Sequence, residues 1–238
     1  MLWLAGLMGM MAVGAVTFFE TDSSDDAADI STETVGTSQD DILSGTNGND
    51  NLLGGQGDDQ IGGYDGEDTI KGGDGDDDLH GADGDDQLLD ADDADTLHGE
   101  AGNDALYGGD DDDTLYGNNS NDTMHGGAGN DALQGSAGND NLSGDIGADA
   151  LQGGLDDDTL SGGLGNDSLF GGWGNDLLNG VENDIAIAGI QDIDQADFLN
   201  GGGGDDTILA GQDDIITAGA GDDTIVLGTG SLRGIRPK

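Results

Sequence analysis

The chain has 238 residues, of which 52 are Asp or Glu and only 4 are Lys or Arg, for a formal net charge of −48 at pH 7. That balance excludes nucleic acid as a partner, because phosphate binding needs Lys and Arg, and it argues against attraction to an anionic membrane surface. The sequence has no cysteine, so disulfides and thiolate metal sites are excluded as well.

Five of the acids are Glu (residues 20, 33, 67, 100 and 182) and the remaining 47 are Asp, set among 49 Gly. Asp and Gly favour turns and local backbone bonds over helix. High charge with little apolar surface keeps a chain from compacting unless something neutralises the carboxylates. Cations are the obvious agents.

Residues 1–19, MLWLAGLMGMMAVGAVTFF, contain no charged side chain and as a helix would span about 28 Å, enough for a bilayer core. The segment fits a hydrophobic N-terminal helix retained as a membrane anchor. It also fits a cleaved signal with Val13-Gly14-Ala15 as the cleavage site, or a buried helix. Residues 20–35, ETDSSDDAADISTETV, read as a disordered acidic linker.

From Gly36 the chain becomes periodic, and residues 36–179 divide into sixteen nonapeptides without insertion or deletion. Position six is Asp in all of them: Asp41, Asp50, Asp59, Asp68, Asp77, Asp86, Asp95, Asp104, Asp113, Asp122, Asp131, Asp140, Asp149, Asp158, Asp167 and Asp176. Position eight is Leu, Ile or Met throughout, from Leu43 to Leu178, and position one is Gly except at Asp90. Position four is Gly except at Gln39, Asp93, Asp111, Ser120 and Asp156, and position five is Asp or Asn in thirteen repeats.

Residues 180–200 read as an irregular insertion. Three further repeats follow over 201–226, the middle one short by a residue, and they place Asp206, Asp214 and Asp223 at position six. Residues 227–238 form a short C-terminal tail with Arg233, Arg236 and Lys238.

The first six residues of each repeat suit a turn, because Gly takes positive φ cheaply and Asp or Asn tolerates the left-handed region. The last three suit a short strand whose middle side chain points inward and whose neighbours point out. In-phase strands and turns predict an all-β solenoid in which two repeats make one flattened coil and repeat n stacks on n+2. Sixteen repeats then give about eight coils, roughly 38 Å long. A single file of aliphatic side chains is too thin a core to order so many glycines unaided, so a metal-free fold is not expected.

A carboxylate in every turn beside Gly-rich backbone carbonyls is an all-oxygen environment. Hard oxygen ligands in a flexible loop favour Ca²⁺ over Mg²⁺, which demands tighter octahedral geometry. If turns n and n+2 share an ion, the sixteen repeats supply up to about fourteen sites. EF-hands are excluded, because their loops need a Glu at position twelve between two helices.

The intact copies GGQGDDQIG (54–62), GGDGDDDLH (72–80), GGAGNDALQ (126–134) and GGLGNDSLF (162–170) resemble the repeats-in-toxin (RTX) family of calcium-binding nonapeptides. The resemblance implies a parallel β-roll with the position-six Asp and loop carbonyls holding Ca²⁺ between stacked turns. It also implies export from a Gram-negative bacterium to the cell surface or beyond, with folding after exit. Loops of millimolar affinity would be empty in the cytosol and filled outside. The repeat DADDADTLH (90–98) departs by lacking both opening glycines, and a weak turn is expected there.

No catalytic constellation accompanies the repeats: HExxH and a nucleophile elbow are both missing, and Asp pairs that recur in every turn read as structural. A non-enzymatic chain is expected. His80, His98 and His125 all fall at position nine on the outer face, with His80 and His98 one coil apart. They read as a solvated row or as a transition-metal pair. Tyr107, Tyr116, Phe170 and Trp173 read as scattered surface or as a patch for a protein or carbohydrate target. The mixed seventh place (Ile42, Asn51, Gln60, Thr69, Asp78) argues against a flat ice-binding face. Besides calcium binding itself, two roles fit: a calcium-stiffened adhesion or spacer module, and the non-catalytic repeat part of an exported toxin or hydrolase.

Overall fold

The computed structural model describes residues 33–181, 196–211 and 213–227. The N-terminal hydrophobic segment, most of the acidic linker and nearly all of the tail lie outside the described residues. Strands β1 (Glu33–Val35) to β21 (Thr224–Leu227) are numbered along the chain and form two parallel sheets. Odd-numbered strands make an eleven-stranded sheet and even-numbered strands a ten-stranded one, each in strict sequence order. Every repeat is therefore paired with the one two places away, as the period predicts, and the two sheets face each other as a flattened roll.

The expected strands are short, but most observed strands have six residues, as in β3 (Asn51–Gln56). They run from position seven through position nine and on into positions one to three of the next repeat. The reason is in the backbone, which bonds to the coil above without regard to side-chain size. Gly45 N–H, at position one, donates to the Gly62 carbonyl at 2.8 Å. Positions eight and one both face inward, giving the alternating burial of β3.

The core is a single column from Leu43 to Leu178, continued by Leu199, Ile208 and Ala210, each at most 2 % exposed. Two boundaries differ from the sequence reading. Among the described residues the roll already includes Glu33–Val35, ahead of Gly36, with Thr34 buried at position eight and β1 paired to β3. At the other end, the stretch read as irregular over 180–200 already ends in regular structure. Strand β18 (Phe198–Gly203) pairs in register with β16 (Ser168–Trp173), so the coil pairing resumes across the inserted residues.

Turn geometry explains the glycines. Positions two and four hold left-handed backbone, as at Gly127 (φ 119°) and Gly129 (φ 158°). Four of the five non-glycine residues at position four, Asp93, Asp111, Ser120 and Asp156, adopt positive φ all the same. Three of these are Asp, a residue that tolerates this region.

Candidate metal centre

The position-six carboxylates lie along the two edges where the chain turns from one sheet to the other. From Asp41 through Asp206 every one of them is at most 6 % exposed, and Asp214 is 7 % exposed. Asp223, in the last coil, is only half-buried.

Within each file the carboxylates are chained. Asp59 N–H donates to Asp77 Oδ1 at 2.7 Å, Asp77 N–H to Asp95 Oδ1 at 2.8 Å, and Asp95 N–H to Asp113 Oδ1 at 2.9 Å. The other file repeats this from Asp50 N–H to Asp68 Oδ1 at 2.7 Å onward. From Asp59 and Asp68 onward each Oδ1 is thereby used, which fixes the rotamer and aims Oδ2 into the turn.

There Oδ2 has no hydrogen-bond partner. Fifteen position-six carboxylates, from Asp59 to Asp176 together with Asp206, bury an unpartnered Oδ2. One or two such groups would be strain; fifteen in register point to a common missing partner, because a buried anionic oxygen without one is costly.

Position one completes the cradle. A Cβ on Gly54 would collide with Asp59 Oδ2 and come within 2.7 Å of the Gly72 carbonyl oxygen in the next coil. Gly63, Asp68 and the Gly81 carbonyl repeat the arrangement, at 2.8 Å. Glycine is needed there for room rather than for φ. The space it leaves is lined by a carboxylate oxygen of one turn and a carbonyl oxygen of the next, the donor set that a hard divalent cation requires. The residues fit Ca²⁺.

The electrostatics agree. Burial pushes the carboxyl pKa up to about 8 at Asp95 and Asp122, and to about 7 at Asp86, Asp113, Asp149 and Asp158. Neighbouring carboxylates add to this, against the lowering effect of the backbone N–H bond. A cation in the cradle would supply the missing countercharge.

The ends of the files are built differently. Asp41 Oδ2 accepts from Thr37 N–H and hydroxyl at 2.6 and 2.8 Å, and Asp50 Oδ2 from Thr46 at 2.5 and 3.0 Å. Asp214 Oδ2 accepts from Gly211 N–H at 2.7 Å. A residue missed by the repeat count is Asp197. It is 2 % exposed, its Oδ1 accepts from Asp167 N–H at 2.8 Å, and its own N–H donates to Asp214 Oδ1 at 2.9 Å. The separation from Asp167 is 30 residues rather than 18, so a 12-residue insertion hid a standard repeat. The triplet Asp197-Phe198-Leu199, with the seven–eight pattern intact, was the available signal.

Position five forms a second ladder on the solvent side. Asn130 N–H donates to Asp112 Oδ1 at 2.7 Å and Asn139 N–H to Asn121 Oδ1 at 2.7 Å. Its donors belong to the later coil, whereas at position six they belong to the earlier one, so the two ladders run in opposite senses.

The outer face holds the histidines as expected. His80 and His98 stack with centroids 4.6 Å apart, and His98 stacks on Tyr116 at 4.8 Å. His80 lies 3.0 Å from both Asp78 and Glu100. Tyr107 stacks on His125 at 5.3 Å, while Trp173 stands 73 % exposed. Tyr116 and Phe170 lie on one shallow groove across the even-numbered sheet, with Gln134 and Gln152 between them.

A family model for the RTX calcium-binding nonapeptide repeat matches residues 35–70, 63–88, 91–124, 116–151, 152–182, 194–214 and 211–231. No curated protein matches the chain.

Proposed function

Since the chain belongs to the family of RTX calcium-binding nonapeptide repeats, we propose that its roll binds Ca²⁺ in the turns and folds as the ions bind. The observation that carries this is the pair of carboxylate files, in which fifteen buried position-six Oδ2 atoms lack any partner. In this reading the position-six Asp supplies the charged oxygen and the position-one carbonyl of the next coil a neutral one. Because each cradle joins two coils, an ion contributes stacking energy only once both coils are in place, and binding energy becomes folding energy.

The protein is a non-catalytic, exported or cell-surface calcium binder on this account. The rise in calcium between cytosol and exterior suits turns of weak individual affinity. Anchoring through residues 1–19 and a protein or carbohydrate target complete the proposal. A second reading, a calcium-stiffened spacer, is favoured by one feature: both sheets run in unbroken strand order from β1 to β21. Equilibrium dialysis of the metal-stripped chain against buffered Ca²⁺ tests the main reading. Many ions per chain are expected, with Mg²⁺ failing to replace them; at most one or two bound ions at millimolar Ca²⁺ would refute it.

A further inference from the structure

Asp90 stands where every other repeat of the main roll has a glycine. A Cβ on Gly72 would meet Asp77 Oδ2, as in any coil, and then both carboxylate oxygens of Asp90. Around Gly54 and Gly63 that second place is held by the carbonyl oxygen of Gly72 or Gly81. The Asp90 side chain therefore occupies the cradle position that a main-chain carbonyl fills elsewhere.

The turn has been rebuilt to admit it. Strand β7 (Gln87–Leu89) stops after three residues, and beyond it the chain is held by an isolated bridge between Asp74 and Asp92 and by backbone bonds from Asp90 N–H to the Tyr107 carbonyl and from Asp110 N–H to the Ala91 carbonyl, each at 2.8 Å. Gly73 N–H and Ala91 N–H donate to Asp90 Oδ1 at 3.1 and 3.0 Å. Asp90 Oδ2 is left buried without a partner. Beside it, Asp77 and Asp95 are 3 % and 2 % exposed, each with its own Oδ2 unpartnered. One carboxylate oxygen from each of the three residues lies within 4.8 Å of the other two.

We propose that Asp77, Asp90 and Asp95 form a distinct calcium centre in which a third carboxylate replaces a carbonyl ligand, so that this turn binds Ca²⁺ more tightly than its neighbours and fills first. The inference rests on the calcium reading above. Its physical basis is that calcium affinity in oxygen sites rises with the number of charged ligands and with rigidity. The lost glycines then mark the roll's leading site rather than a flaw in it.

The competing account, a damaged turn, predicts the opposite sign. Asp90→Gly would restore the position-one glycine, and if Asp90 were only a defect the substitution would lower the calcium midpoint. On the present proposal it raises the midpoint by roughly threefold or more and removes the tightest-bound equivalent. The measurement is a Ca²⁺ titration of the metal-stripped full chain against a chromophoric chelator, with circular dichroism followed in parallel. Asp90→Asn, which keeps the shape and removes the charge, is expected to lose the same equivalent, and it serves if the glycine variant misfolds. A midpoint that is unchanged or lowered in these variants, with the other ions still bound, overturns this proposal and leaves the calcium reading standing. A wild-type chain that binds no calcium overturns both.

Discussion

Asp131 makes two kinds of contact with its two oxygens. Its Oδ1 accepts Asp113 N–H at 2.9 Å, while its Oδ2 faces the cradle without a partner. Two substitutions separate these roles. Asp131→Asn retains an acceptor but loses the charge, so calcium binding should weaken while the metal-free chain is little changed. Asp131→Ala also orphans the Asp113 N–H, at a cost of about 1–3 kcal/mol. Dialysis should show one or two ions lost in either variant, and calcium-loaded melting should fall further for Ala; equal melting would refute the assigned Oδ1 role. Gly126→Ala places a Cβ against Asp131 Oδ2, so it should raise the calcium midpoint even though φ at that position suits any residue. At this scale the sequence made position six legible because one residue type recurs without exception. Position five was not readable as a ladder, since nothing in a repeat of nine says that Asn130 N–H will meet Asp112 eighteen residues earlier.

Nearly every strand contributes a single large core side chain, so the narrow core between the two sheets has little beside it to absorb a gap. Leu133 is 2 % exposed and stacked between Leu115 and Leu151 in its sheet. Leu133→Ala should cost about 2–5 kcal/mol, seen as a lower melting temperature in saturating Ca²⁺ with the ion count unchanged. The insertion behaves as a separate matter. Deleting residues 182–193 would leave Gly180-Val181 followed by Asp194 to Asn200, a repeat of nine with Asp197 at position six. Because Asp197 already bonds to Asp167 and Asp214 in register, the deletion should preserve calcium binding and leave stability equal or slightly higher, as expected from a shorter loop closure. Loss of cooperative folding in the deletion variant would contradict that. Strand alternation and the n to n+2 stacking were legible from the period. The six-residue strand length was not, because positions one to three pair through backbone alone, and the insertion concealed Asp197 by shifting the count rather than by changing the residues around it.

Across the whole molecule, the two files set burial against charge. In the metal-free roll burial raises the position-six carboxyls from Asp77 to Asp158, and that of Asp176, to values between about 6, as at Asp140, and about 8, as at Asp122. A folded pKa raised above the ordinary value of 3.8 contributes stability that is full below that value and is lost as pH rises through the raised one. The metal-free chain should therefore be more ordered at pH 5 than at pH 8. Calcium needs the ionised form, so its midpoint should drop as pH climbs from 5 to 7, and binding near pH 5, where the metal-free chain is ordered and its carboxyls are protonated, should release protons into a weakly buffered solution. A calcium midpoint independent of pH over that range would mean that these carboxylates are not the ligands. The same balance determines the foldability of the chain: a net charge of −48 with one aliphatic residue per turn leaves too little to hold the roll together unaided.

That claim has a direct test in far-UV circular dichroism of the metal-stripped chain at pH 7.5, titrated with Ca²⁺ and separately with Mg²⁺. The account predicts a coil-like spectrum that converts cooperatively to a β-rich one near millimolar Ca²⁺ and does not convert with Mg²⁺ at the same concentration. A β-rich spectrum already present without metal, or one that stays coil-like at saturating Ca²⁺, would contradict it.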